Sequence, residues 1–155
     1  LNAATAADGS GVLHVRQVSM WVIIFTLDGL QESSLDVEQL MHYVLEPAAD
    51  TIWDSAGTIA TLEGVEDLAP TTEEDWFRVQ HAAAVISESG NLLLMPGRTM
   101  DGDDWQEISH GLVSTGASIM TAAEQQDADA IFDLGGQLYN VCVACHQRYW
   151  VENDQ

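Results

Sequence analysis

The chain contains no lysine. Its 155 residues carry 4 basic side chains, all arginine (Arg16, Arg78, Arg98, Arg148), against 25 Asp plus Glu, giving a formal charge of −21. A surface that neutralises phosphates needs clustered cations, so nucleic acid is excluded as a partner, and anionic membranes on the same ground. Cysteine is nearly absent too, with only Cys142 and Cys145. No disulfide framework is available, and none is needed, because a chain of this length buries roughly two thirds of its unfolded surface. Long apolar runs are missing: the segment from Val18 to Leu27 falls short of the ~20 residues that span a bilayer. There is no glycine-rich phosphate loop, no Gly-x-Ser-x-Gly and no paired His-Glu helix motif, so no catalytic constellation points to an enzyme. Collagenous, low-complexity and repeat classes also drop out. What remains is 46% hydrophobic with 5 tryptophans, the composition of a folded domain despite its charge.

Such acidity has two physical readings. One is a self-repelling surface tolerated in a saline medium, where the Debye length shrinks to roughly 3 Å near 1 M salt. The other is a docking surface for a basic partner. The absence of lysine favours the saline reading, since a docking patch does not require its removal from the whole chain.

Residues 1–32 form an N-terminal extension: a small, polar, flexible start over 1–11, then the apolar segment Val12 to Leu30, rich in β-branched and aromatic residues. It reads as a packed appendage or as part of an interface. From residue 33 to 155 the pattern is that of one helical domain, with no convincing strand. Ser34, with Asp36 and Glu38 behind it, is a cap candidate. Val37, Leu40, Met41, Val44, Leu45, Ala48 and Ile52 recur at helical spacing. Pro47 interrupts this stripe and predicts a bend near Glu46, with the helix ending around Gly57. Thr71 and Thr72, followed by Glu73, Glu74 and Asp75, open a second helix that carries Trp76, Val79, Ala83, Ile86 and Leu93 up to Met95-Pro96-Gly97. A third starts near Asp103 or Asp104 and presents Trp105, Ile108, Leu112 and Ile119. A fourth starts at Asp127 and carries Ile131, Leu134, Leu138, Val141, Cys142, Cys145 and Tyr149. Four amphipathic helices with short joints predict an all-α fold, an antiparallel four-helix bundle.

Both cysteines fall in one motif, Cys142-Val143-Ala144-Cys145-His146, the attachment signature of a c-type haem. On a helix the two sulfurs lie one turn apart, where thioethers to the two vinyl groups can form, and His146 emerges nearby to reach the iron. The competing chemistries are weaker. A structural zinc site needs four N or S ligands, and no second Cys pair or His pair is present. A thioredoxin-like dithiol belongs at a helix N-terminus after a strand, not late in a long helix. A disulfide at i, i+3 on a continuous helix lacks the geometry and cross-links almost nothing.

With its motif on the last predicted helix and Tyr149 three residues after His146, the chain resembles the class II cytochromes c, the cytochrome c′ group. Where that family often carries a basic residue after the aromatic, this chain has Trp150, with Arg148 two positions earlier. The resemblance covers about residues 33 to 152. It implies one covalent haem c held by Cys142 and Cys145, His146 as proximal ligand, Tyr149 as a haem neighbour, and export to the bacterial periplasm. It also implies a homodimer packed through the first two helices. The sixth iron position would face the first helix, where Met41 lies on the apolar stripe; its other reading is core packing. His42, rotated about 100° from Met41, is the rival ligand. Met95 reads as a hydrophobic stop, and His14, His81 and His110 lack metal-ligand spacing. Trp53, Trp76 and Trp105 read as core, some of them lining the haem.

Three functions follow as expectations. The first is a low-spin His/Met electron carrier that docks a basic redox partner. The second is a five-coordinate protein of the c′ type that binds nitric oxide or carbon monoxide. The third is a haem-free interaction bundle.

Overall fold

A computed structural model describes residues 33–100 and 102–150, which form an all-α domain of four helices packed on one another. The N-terminal extension lies outside the described residues.

Helix α1 covers residues 37–53 in three stretches: α-helical Val37–Leu40, π-helical Met41–Leu45 and α-helical Glu46–Trp53. Its cap is Asp36 rather than Ser34. The Asp36 carboxylate accepts from the Gln39 N–H at 2.8 Å, and the Gln39 side chain accepts from the Asp36 N–H at 3.2 Å. This reciprocal box satisfies two amides that Ser34 is too far upstream to reach. The π stretch is the answer to Pro47. A proline there cannot donate to the Tyr43 carbonyl, and the chain widens by one residue, so that the Glu46 N–H donates to the Met41 carbonyl. Pro47 then falls in the first turn of the next stretch, where a missing N–H costs little. The helix stops at Trp53, four residues before Gly57.

A β-hairpin follows, contrary to the strand-free expectation. Strands β1 (Thr58–Ala60) and β2 (Val65–Asp67) pair antiparallel, with Ile59 opposite Glu66. The Thr61 N–H donates to the Gly64 carbonyl at 2.7 Å, and Gly64 takes the positive φ that the turn requires. Every strand residue is exposed, so neither strand shows the in-out alternation by which a half-buried strand is read.

Helix α2 (Glu73–Leu93) begins as the sequence predicts: Thr72 accepts from the Asp75 N–H at 3.1 Å, and three acids occupy the first turn, where the helix dipole favours them. The Thr72 hydroxyl donates to the Asp75 carboxylate at 2.7 Å, and Arg78 pairs with it. The Thr72 hydrogen bond, followed by Arg78, lowers the Asp75 pKa. Helix α3 (Gly102–Glu124) and helix α4 (Ala128–Tyr149, capped by Asp127) complete the domain.

The α2–α3 contact is the tightest. A Cβ on Gly90 would lie 2.5 Å from the Ser109 carbonyl oxygen, and one on Gly116 would lie 2.6 Å from the Ser87 nitrogen. Only glycine allows the two backbones to come this close. Ser87 donates to the Val113 carbonyl at 3.0 Å, and the Trp105 indole donates to the Leu93 carbonyl at 2.9 Å. As residue numbers rise along α2 they fall along α3, so the pair runs in opposite directions. Trp105 against Tyr149 and Gly111 against Val141 give the same opposed order for α3 and α4.

The predicted stripes are the core. Leu40, Leu45, Ala48, Ile52, Trp76, Val79, Ala83, Ile86, Leu93, Trp105, Leu112, Ile119, Ile131 and Leu138 are all buried. Trp53 is the exception among the expected core tryptophans: it is 36% exposed, and its indole donates to the Gly135 carbonyl at 3.1 Å, tying α1 to α4. A buried arginine was not anticipated. Arg98 donates to the Leu35 carbonyl through Nε and Nη2 at 3.1 and 2.9 Å, and to the Leu92 carbonyl through Nη1 at 3.0 Å. It thereby fixes the entry to α1 against the end of α2.

Candidate functional site

The second half of α4 carries the cysteine motif. At 100° per residue, Cys145, Cys142 and His146 sit at about −60°, 0° and +40° around the helix, all within one arc of about 100°. The buried residues Ile131 and Leu138 lie toward the Cys145 side of that arc. Cys142 therefore stands at the boundary between the core and an open groove, with Cys145 rotated toward the core and His146 away from it. Both cysteines are half-buried free thiols.

The groove has a volume of about 500 Å³, within the usual range for small-molecule and cofactor sites. Trp53 of α1 and Tyr139 of α4 form one end, with their rings edge-on at 6.3 Å. Cys142, Val143, His146 and Gln147 supply the floor, and Trp150 closes the other end, its ring 4.7 Å from the His146 imidazole and nearly perpendicular to it. The groove thus brings together one thiol, Cys142, one imidazole and three aromatic walls.

Burial pushes both thiols above their ordinary pKa, and at Cys142 the neighbouring Cys145 adds to the effect. The two also lie in the last turns of α4, where the helix dipole disfavours an anion. A dithiol oxidoreductase needs the reverse, a thiolate stabilised at a helix N-terminus. Burial here favours the protonated thiols over their thiolates. Among the described residues no group of three or more His, Cys, Asp or Glu is placed to hold a metal ion.

Met41 opens the π stretch, is half-buried and packs against the core, but it does not line the groove. His42 is exposed, with Nδ1 3.0 Å from the Glu46 carboxylate. Tyr149 packs edge-on against Trp105 at 5.0 Å, on the core side of α4 rather than in the groove. Met95 accepts from Arg98 in the turn after α2, and His81 and His110 are exposed. His14 lies outside the described residues. The aromatic walls Tyr139 and Trp150 were missed because Tyr139 lies off the core stripe and Trp150 follows the helix; only their angular position relative to Cys142 and His146 signals them. Arg148, salt-bridged to Asp104 at 2.8 Å, links the end of α4 to the start of α3.

No helix among the described residues is long and apolar enough to cross a membrane. Comparison with protein-family models, curated proteins and solved structures returns no match.

Proposed function

We propose that the chain is a monohaem c-type cytochrome of the class II kind, an antiparallel four-helix bundle that carries electrons. The observation that carries this reading is the joint placement of Cys142, Cys145 and His146 on one arc of α4 beside an aromatic-walled groove. The bundle is supported by the opposed contact order of α2 with α3 and of α3 with α4.

Cys142 and Cys145 would hold the group through thioethers, and His146 would ligate its iron. Bound there, haem c provides the reversible one-electron couple of its iron. Trp53, Tyr139 and Trp150 wall the groove. The −21 charge steers basic redox partners toward the protein and does so less at high salt. Maturation of such a protein outside the bacterial cytoplasm follows from the same reading.

The sixth position has two readings. Met41 as ligand makes a low-spin electron carrier. A five-coordinate protein that binds nitric oxide or carbon monoxide is the second, and the position of Met41 off the groove lining favours it. Absorption spectra of the ferric and ferrous protein, repeated under carbon monoxide, separate them. A low-spin spectrum with a methionine-to-iron charge-transfer band, lost in Met41→Ala, supports the first. A high-spin spectrum that shifts with carbon monoxide supports the second.

A further inference from the structure

Helix α4 has a second apolar face that the core does not use. Phe132, Gly136, Tyr139 and Val143 repeat at i, i+4, i+7 and i+11, within about 60° of one another around the helix. Phe132 and Tyr139 are 61% and 58% exposed. This face lies beside Trp53 of α1, and a groove of about 400 Å³ there shares Trp53 and Tyr139 with the groove of the cysteine motif. Contiguous exposed aromatics of this kind mark interaction surfaces. On α4, Asp129 and Asp133 lie about 60° and 100° around the helix from Phe132, along one edge of the strip, and Asp54 follows Trp53 at the end of α1; all three are exposed. Helix α1 carries no arginine, and Arg148 is the single one on α4, in its last turn.

We propose that the Trp53–Phe132–Tyr139 face is a docking surface for a cationic amphipathic protein partner, one that presents an apolar centre ringed by lysine or arginine. The proposal rests on the electron-carrier reading for its purpose, since it names where that carrier's partner sits, but the binding itself requires no haem. Charge decides the occupant. An apolar centre with an acidic rim is completed by an apolar centre with a basic rim. A second copy of this chain would bring Asp54, Asp129 and Asp133 against their own counterparts, with no cation on the face to offset them. The shared Trp53 and Tyr139 put the docked partner next to the groove that holds Cys142 and His146.

The test is calorimetric titration of the full chain, at low and high salt, with a synthetic amphipathic helical peptide whose leucine face is bordered by lysines. Replacing Asp54→Asn, Asp129→Asn and Asp133→Asn together is expected to weaken binding about tenfold at low salt. Replacing Glu88→Gln, Glu107→Gln and Glu124→Gln on α2 and α3 removes the same charge and is expected to change binding less than about twofold. Phe132→Ala weakens binding at both salt concentrations, and unchanged far-ultraviolet circular dichroism verifies that each variant is folded. Equal losses in the two triple variants, no effect of Phe132→Ala, or no peptide binding overturns the proposal. So does a dimer in sedimentation that Phe132→Ala dissolves, which would assign the face to a second copy. Patch-dependent binding in a parent chain that never acquires covalent haem refutes the reading of the motif and leaves the docking face standing; haem without patch-dependent binding does the reverse.

Discussion

Alanine placed at two helical glycines is expected to change stability in opposite directions. At Gly116, in the middle of α3, the added Cβ would lie 2.6 Å from the Ser87 nitrogen and 2.9 Å from both the Ala83 carbonyl oxygen and the Ser87 Cα. All three are backbone atoms of α2, so no side chain can swing aside, and the two helices must separate. Overpacking of this kind costs typically 1–3 kcal/mol, and a clash with helix backbone belongs at about 3. Alanine returns about 1 kcal/mol through helix propensity, leaving a net loss of about 2 kcal/mol. At Gly136 nothing lies within 4 Å of the built Cβ, so propensity acts alone and Gly136→Ala should gain about 1 kcal/mol. Urea unfolding followed by circular dichroism, at one fixed salt concentration, measures both. The expected separation between the two variants is about 3 kcal/mol, with opposite signs. Equal stabilisation of both would refute the close approach of α2 and α3, and with it the arrangement on which α4 is positioned.

Other expectations follow from the same structure. The Cys142 and Cys145 thiols have raised pKa values in the fold, so the native state holds more protons than the unfolded chain above the ordinary thiol range. Their contribution to stability is present in full below about pH 8.5 and is lost as pH rises through their folded values. Unfolding of the haem-free chain between pH 8 and 11, on the order of the thiol range, should show this loss, and the Cys142→Ala/Cys145→Ala chain should not. Arg98→Met removes the donors of the Leu35 and Leu92 carbonyls and should cost about 2–4 kcal/mol, read by urea unfolding; a change under about 0.5 kcal/mol would contradict its role in fixing the entry to α1. Added salt should raise the melting temperature, because screening relieves the repulsion of a −21 chain, while slowing association with a basic partner; insensitivity of both would remove the physical account of the missing lysines.

What was legible in the sequence is what rests on local chemistry and on helical period. Thr72 and Asp127 cap α2 and α4 as their side chains predict, and the buried stripes follow the 3.6-residue repeat. Fully exposed strands leave no periodic trace, so the hairpin over residues 58–67 was hidden. The cap at Asp36 competed with an equally plausible Ser34, and only the reciprocal bond from Gln39 decides between them. Pro47 announced a disturbance, but a π stretch and a bend answer it equally well in one dimension. Trp53 reads as core by residue type, yet its indole bonds to the distant Gly135 carbonyl, and Arg98 is held by the Leu35 carbonyl 63 residues away, neither of which leaves a local sequence trace. At the site, the motif declared Cys142, Cys145 and His146, while the walls Tyr139 and Trp150 depend on how the end of α4 meets Trp53. Met41 falls on the apolar stripe, and that same stripe packs it against the core.

A covalent bond between haem and this chain would be read by intact-mass analysis. The chain is produced together with a c-type maturation system, unfolded and extracted with acid acetone, then weighed. The account predicts that one haem stays with the polypeptide, that Cys142→Ala/Cys145→Ala carries none, and that His146→Ala fails to give the parent spectrum. A parent chain that leaves extraction colourless, at the mass of its bare sequence, contradicts the account.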